Sequence, residues 1–126
     1  MIGYIANIEK ETLTNENFRK VLFTTPLSQL VVMSLLPGED IGEEVHTVDQ
    51  FFRIEVGEGK VIIDGVGSIF VAEFAFVVPA GAKHNVVNTS ASEKLKLYTI
   101  YTPPNHKDGT IHVTKALALA DETDHF

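Results

Sequence analysis

The sequence predicts an all-β domain built from short strands, either a sandwich or a barrel. Runs rich in Val, Ile, Leu and Phe recur between residues 19 and 102, and turn-forming residues interrupt them every eight to twelve positions or so. At 126 residues, the chain is long enough to bury a core without covalent cross-links. We therefore expect one domain over residues 1–126.

The elements can be assigned in chain order from these turn signals. Residues 4–8 are compatible with a strand, and the polar stretch 9–17 suits a short helix or a turn. Strands are expected where apolar or alternating runs are bounded by Pro, Gly, Asn or Asp, at residues 19–24, 28–36, 45–56, 60–64, 68–74, 75–78, 85–88 and 95–102.

The tail, residues 103–126, has a different character. Pro103 and Pro104 end the strand series because proline donates no hydrogen bond to a sheet. Residues 114–121 are rich in Ala and Leu and predict a short helix, with Thr114 as its N-cap. A helix of about two turns is marginal alone, so it must pack on the barrel or on a partner subunit.

Composition excludes several classes of function. The chain has no cysteine, so disulfides, thiolate zinc sites and thiol nucleophiles are absent. Its net charge of −7 argues against nucleic-acid binding, since phosphates would be repelled. No signal peptide is recognised at the N-terminus, and the longest apolar run, residues 30–36, is too short to span a bilayer. We expect a cytoplasmic protein that binds neither nucleic acid nor membranes.

Alternation along residues 44–56 predicts which side chains face inward, provided that no bulge interrupts the strand. The odd positions carry the charges of Asp49, Arg53 and Glu55, so the even positions should face the core. The inward set contains apolar Phe52, Ile54 and Val56, together with polar Glu44, His46 and Gln50. Buried polar groups need partners, and these three would be satisfied by a metal ion or by a water-filled pocket.

The two histidine-bearing segments resemble the two motifs of the cupin superfamily, small jelly-roll barrels. In the first motif, counted from Gly38, Glu44 and His46 stand at the two His positions, Gln50 at the Glu position and Gly57 at the last Gly. In the second motif Pro79, Gly81, His84 and Asn88 match, whereas Glu73 replaces the first Gly. The resemblance implies a double-stranded β-helix with its barrel core at about residues 20–102 and a short C-terminal helix.

Carried over by position, the resemblance implies a divalent-metal site formed by Glu44, His46, Gln50 and His84. Two imidazoles, one carboxylate and one amide suit Fe, Mn, Ni, Co or Zn. Gln50 would be the weakest ligand and could instead orient a bound water or substrate. The alternatives are buried histidines with hydrogen-bonded partners, a solvated Glu44 and an amide bonded to the backbone.

The tail is also informative. The segment from Tyr101 to His106 resembles small single-domain cupins that are labelled mannose-6-phosphate-isomerase-like. Only Lys83 is a basic residue directly beside a predicted ligand in the sequence, which argues against a phosphorylated sugar as substrate. The spacing of the remaining histidines, His106, His112 and His125, matches no single-strand metal site, and they are predicted to lie at the surface, with contact to a partner subunit as the alternative.

Three functions are compatible with these patterns. The first is a metal-dependent enzyme, isomerase-like or dioxygenase-like, acting on a small polar molecule, although no residue can be assigned a catalytic role. The second is a non-catalytic module that binds a small ligand through the metal. The third is a structural homodimer with a vestigial site. We expect a homodimer, with an exposed sheet face of residues 30–36 and Phe23 as its interface.

Overall fold

A computed structural model describes residues 1–124, which form two helices and ten strands. The predictions for His125 and Phe126 lie outside these residues. The helices are α1, Ile8–Thr14, and α2, Lys115–Ala120. The strands are β1 Arg19–Thr24, β2 Gln29–Leu35, β3 Glu44–Val45, β4 Asp49–Val56, β5 Glu58–Ile63, β6 Val66–Val71, β7 Ala75–Val78, β8 Lys83–Asn88, β9 Leu95–Thr102 and β10 Ile111–His112.

Two antiparallel sheets face each other. The larger has the order β10-β1-β2-β9-β4-β7, and the smaller has the order β3-β8-β5-β6. Their inner faces enclose a core that includes Met33, Phe52, Phe70 and Leu97. This is the predicted jelly roll with a short C-terminal helix, and that prediction is confirmed.

Alternation explains most of the burial. In β4, Gln50, Phe52 and Ile54 are buried while the residues between them are more exposed, as predicted. The prediction for Val56 is wrong, because the register with β9 shifts between Ile54 and Val56 and leaves Val56 39 % exposed. A bulge of this kind turns the residues beyond it towards the other face.

Residues 45–56 do not form a single strand. Glu44 and Val45 belong to the smaller sheet, whereas β4 belongs to the larger one, so the chain changes sheets across residues 46–48. No Gly or Pro marks this change of sheet. The backbone of His46 is held instead by a hydrogen bond from the Gly81 amide, in the distant turn between β7 and β8.

The N-terminal elements differ in part from the prediction. Residues 4–8 form no strand, and α1 lies within the polar stretch, where Asn7 caps it by accepting a hydrogen bond from the Lys10 amide at 3.1 Å. Helix α1 packs across β2, β4 and β9 of the larger sheet, with Thr12 fully buried. In the tail, Thr114 caps α2 as predicted, accepting from the Leu117 amide at 3.2 Å.

The predicted exposed face at residues 30–36 is wrong for most of its length. Val31, Met33 and Leu35 are fully buried because these alternate side chains of β2 enter the core, and Val32, on the opposite face, is fully buried as well. Of the predicted set, Leu30 and Phe23 are half-buried and Leu36 is exposed. No helix among the described residues has the length and hydropathy needed to cross a bilayer.

Candidate metal site

The site lies where the two sheets approach each other. Glu44 on β3 pairs directly with His84 on β8, and Gln50 on β4 pairs directly with Tyr101 on β9. His46 lies in the link between β3 and β4, so its side chain is positioned between the two pairs. The ring centroids of His46 and His84 are 5.1 Å apart, and those of His46 and Tyr101 are 5.8 Å apart.

The turn between β7 and β8 connects the two motifs through its backbone. The Gly81 amide donates to the His46 carbonyl at 2.8 Å, and the Ala82 amide donates to the Pro79 carbonyl at 3.1 Å. Gly81 has a φ of +87°, a left-handed conformation that glycine adopts without a steric penalty. Gly81 therefore forms a turn that holds the backbone of His46.

The same turn determines the tautomer of His84. This histidine is 4 % exposed, and its Nδ1 lies 3.0 Å from the Ala82 carbonyl oxygen. Because a carbonyl oxygen only accepts, Nδ1 carries a proton, and in the neutral imidazole Nε2 keeps its lone pair. A backbone carbonyl that orients an imidazole in this way is typical of metal-binding histidines.

Glu44 and His46 form the second half of the site. Glu44 Oε2 lies 3.1 Å from His46 Nε2, close to the spacing of two atoms bound to one ion at about 2.1 Å. Burial raises the pKa of Glu44, but the hydrogen bond with His46 and the electrostatic interactions with His46, Arg19 and His84 outweigh it, so the pKa lies below its ordinary value. Glu44 is therefore an anion, as a metal ligand requires.

Gln50 presents an oxygen without a protein partner. Its Nε2 lies 3.0 Å from Thr99 Oγ1, and Thr99 Oγ1 donates its own proton to the Phe51 carbonyl at 2.8 Å. Thr99 can therefore only accept from Gln50, which fixes the amide group with its nitrogen towards Thr99. Gln50 Oε1 is left buried and without a hydrogen bond, as is His46 Nδ1.

The four residues fit a divalent ion by their chemistry. They supply an anion, two imidazoles and an orphaned amide oxygen, a mixture of N and O donors that suits several divalent metals. In the described part of the chain, however, Glu44, His46 and His84 do not bring one donor atom each to within 4.8 Å of the other two. Binding therefore requires at least one of these side chains to rotate.

A different group does meet that spacing, namely His112, Asp121 and Asp124. Arg19 lies beside it, with NH1 3.2 Å from His112 Nδ1. Arginine only donates, so Nδ1 accepts and the proton of a neutral His112 lies on Nε2, which is 2.9 Å from Asp121 Oδ2. A metal bound at Nε2 would have to displace that proton beside the Arg19 guanidinium cation. The hydrogen bonds therefore explain the close approach of these three side chains better than a metal ion does.

The prediction that His106 and His112 lie at the surface is wrong. His106 is 1 % exposed and His112 is 4 % exposed, because the tail folds back against β1 and over one end of the barrel. Asp124, itself 2 % exposed, lies 2.8 Å from His106 Nδ1. The prediction for His125 lies outside the described residues.

Tyr101 connects this buried polar group to the candidate metal site. Its hydroxyl lies 3.2 Å from His106 Nε2, and its ring meets the edge of His46. Burial raises the pKa of Tyr101, so the phenol is neutral. Sequence reasoning missed Arg19, Asp121 and Asp124, whose significance depends on how the tail folds.

A cavity of about 320 Å³ opens beside the site. Arg19 and Glu44 line it on the barrel side, and Lys115, Leu119 and Asp124 line it on the side of the C-terminal tail. A separate groove of about 780 Å³ runs past Pro26 and Pro103, but none of the four predicted ligands lines it. The smaller cavity is therefore the one that gives access to Glu44.

Comparison with known proteins agrees with this architecture. Residues 31–101 match the cupin domain family. The chain is 46 % identical to the uncharacterised protein YrkC of Bacillus subtilis, over 94 % of this chain and 67 % of the relative. It is 41 % identical to the uncharacterised protein L612 of Acanthamoeba polyphaga mimivirus, over 89 % of this chain and 72 % of the relative.

Solved structures show the same relationship. The crystal structure of BH2720 from Bacillus halodurans superposes with a TM-score of 0.91 at 43 % identity, covering 94 % of each chain. An RmlC-like cupin from Shewanella frigidimarina superposes with a TM-score of 0.63 at 23 % identity, covering 68 % of this chain and 75 % of the other. The second likeness concerns the fold alone.

Proposed function

This chain belongs to the cupin family, and on that basis we propose that it binds a divalent metal ion through Glu44, His46, Gln50 and His84. The observation that carries the proposal is the orphaned Oε1 of Gln50, which is buried without a hydrogen bond. An unsatisfied buried oxygen costs about 1–3 kcal/mol. A ligand at this position would remove that cost.

Two further observations support the same ion position. His84 keeps the lone pair of Nε2, since Nδ1 is engaged by the Ala82 carbonyl. Glu44 is held as an anion beside His46. Fe, Mn, Ni, Co and Zn all suit such donors, so the proposal concerns the site and leaves the metal to be identified.

Metal analysis of untagged protein purified without chelator tests the proposal. We expect near-stoichiometric metal in the wild type and its loss in a His46→Ala, His84→Ala double variant. That variant should keep a β-rich circular dichroism spectrum. Lys83→Ala is a matched control, because this neighbour of His84 has a side chain that is 61 % exposed.

His112→Gln distinguishes the two candidate clusters. If the ion lies at Glu44, His46, Gln50 and His84, folded His112→Gln protein retains metal. Loss of metal in His112→Gln but not in the double variant would place the ion at His112, Asp121 and Asp124. Absence of metal from the wild type, even after incubation with each of the five metals, would overturn the proposal.

We infer further that the bound ion holds a small polar ligand. The cavity of about 320 Å³ beside Glu44 gives such a molecule access, and ions that accept more than four ligands keep positions for it. Azide added to Co(II)-loaded protein tests this point. A change in the visible absorption spectrum is expected, whereas an unchanged spectrum would indicate a closed, structural site.

A catalytic role is the second candidate, and Tyr101 is the observation that favours it. The ring of this neutral phenol lies beside His46 and its hydroxyl lies 3.2 Å from His106 Nε2, so Tyr101 links the site to a buried proton-holding pair, and the Glu44 carboxylate across the site can accept a proton. Isomerase and oxygen-consumption screens on metal-loaded protein test the role. Tyr101→Phe should lower kcat without lowering metal content, whereas azide binding without any turnover would leave a binding module.

A further inference from the structure

Arg19 is a buried cation on the wall of the cavity beside the proposed metal site. It is 6 % exposed, and β1 places it in register opposite Met33 on one side and His112 on the other. Directly paired residues of a sheet point to the same side, and Met33 belongs to the core. Arg19 therefore points into the space between the sheets, where it lines the cavity of about 320 Å³ together with Glu44.

The guanidinium group of Arg19 has neutral neighbours but no anionic partner in direct contact. Its NH1 lies 3.2 Å from His112 Nδ1, and its Cζ lies 5.3 Å from the centre of the Phe18 ring. Among residues 1–124, Arg19 forms no ion pair with a carboxylate, and its Nε is buried without a hydrogen bond. A buried charge without a counter-charge is costly, so an anion in the cavity would stabilise this group.

The other charged side chains on the described cavity wall already have partners. Lys115 Nζ lies 2.6 Å from an oxygen of Asp40. Each acidic side chain on the wall is held by a histidine or a lysine, in the pairs Glu43 with Lys83, Glu44 with His46, Asp121 with His112 and Asp124 with His106. Arg19 is therefore the charge on this wall for which a ligand would supply the missing counter-charge.

Arg19 also acts on the proposed metal site through its charge. Burial raises the pKa of Glu44, whereas a hydrogen bond with His46 and electrostatic interactions that include Arg19 lower it. Burial likewise raises the pKa of Tyr101, and the charge of Arg19 opposes that rise. Arg19 therefore lies close to both residues. With a divalent ion bound, the ion and Arg19 would together outweigh the single negative charge of Glu44, so this side of the cavity would attract an anion.

We propose that the ligand of this site is a small 2-hydroxy acid, with its carboxylate bound by Arg19 and its hydroxyl oxygen bound by the metal ion. The planar guanidinium group offers paired N–H donors that match a carboxylate. A cavity of about 320 Å³ lies at the lower end of the range of about 300–1,000 Å³ that is typical of ligand pockets, which favours a small molecule. The inference rests on the proposed metal site and names the class of its ligand.

Lactate and lactamide are matched probes, because they have nearly the same size and differ in the charged carboxylate. In titrations of Co(II)-loaded protein followed by visible absorption, lactate should bind about tenfold or more tightly than lactamide. Folded Arg19→Met protein should retain metal and the response to azide, but it should bind lactate about tenfold or more weakly. Arg19→Lys should fall between the two, since lysine keeps the charge and lacks the paired donors.

Lys115→Met is the matched control, because Lys115 is a second cation on the same wall whose charge is already paired with Asp40. This variant should change the affinity for lactate by less than about twofold. Equal affinities of the wild type for lactate and lactamide, a comparison that needs no variant, would contradict the proposal. Equal losses of lactate affinity in Lys115→Met and Arg19→Met would do the same.

Metal-free protein separates this inference from the proposed metal site. If the wild type takes up no metal, the metal site fails, and Arg19 is tested by thermal melts in sodium lactate and in sodium chloride of equal ionic strength. A rise in melting temperature that is specific to lactate and absent from Arg19→Met would support carboxylate binding by Arg19. Equal melting temperatures in the two salts would rule out that role as well.

Discussion

Gln50 and Thr99 are joined by a hydrogen bond of 3.0 Å from the Gln50 amide nitrogen to the Thr99 hydroxyl oxygen. The bond determines the orientation of the Gln50 amide group, because Thr99 already donates its only proton to the Phe51 carbonyl. Thr99, which is not itself a proposed metal ligand, thereby orients the side-chain oxygen of Gln50, the most deeply buried of the four proposed metal ligands.

Thr99→Val tests this relationship. The variant should lose about 1–3 kcal/mol of unfolding free energy, because the Gln50 amide and the Phe51 carbonyl both lose a partner. Its metal affinity should fall about tenfold or more, as for other groups that orient ligands. Urea denaturation and metal titration measure the two effects. Thr99→Ser, which keeps the hydroxyl, should resemble the wild type in both.

Acid should weaken the attachment of the tail through Asp121. Hydrogen bonds from His112 and from Thr123 hold the pKa of this carboxyl well below its ordinary value of 3.8. A carboxyl whose pKa is lower in the folded state than in the unfolded state stabilises the fold at pH values above its unfolded-state pKa. That stabilisation is lost as the pH falls through the folded-state pKa. Melting temperatures at about pH 7 and about pH 3 should therefore differ less in Asp121→Asn than in the wild type. An equal difference in both proteins would show that Asp121 does not contribute.

The buried pair of His106 and Asp124 should be costly to break. The two side chains lie 2.8 Å apart and are at most 2 % exposed. Removal of one partner leaves the other in a medium of low dielectric constant, so Asp124→Ala should lose about 3–5 kcal/mol in urea denaturation. A double-mutant cycle with His106→Ala should give a coupling of about 1–3 kcal/mol, whereas strict additivity would refute the pairing.

Gly59 should not tolerate a side chain. A Cβ at this position would lie 2.3 Å from the Val87 carbonyl oxygen and 2.5 Å from the Phe70 ring. Gly59→Ala should therefore destabilise the protein by about 1–3 kcal/mol through overpacking. Gly3→Ala is the control, because nothing lies within 4 Å of its Cβ, and thermal melts of the two variants should separate clearly.

The sequence predicted much of the fold because strand signals were local. The bounds of β1, β7 and β9 agree with the prediction, since each run ends at a polar or turn-forming residue. The change of sheet at residues 46–48 carried no such signal, because it depends on the Gly81 amide, thirty-odd positions along the chain. The bulge that exposes Val56 is equally invisible to a pattern of period two.

The site was less predictable than the fold. Motif spacing singled out Glu44, His46, Gln50 and His84, but it gave no account of the Thr99 hydroxyl that orients Gln50. His106 and His112 are buried with partners because the tail folds back and brings Asp124 and Asp121 against them. Spacing along one strand cannot show a partner that tertiary folding supplies.

Glu44 and Gln50 lie at different depths, so the negative charge of the site is concentrated on its solvent side. The Glu44 side chain keeps 28 % of its surface exposed, whereas Gln50 is 2 % exposed, so the charge of the proposed ligand set lies at the rim and the neutral amide lies at the base. A field that is negative at the rim draws cations inward from solvent and slows the entry of small anions. Ionic strength should therefore have opposite effects on the rates at which metal ions and anionic ligands enter.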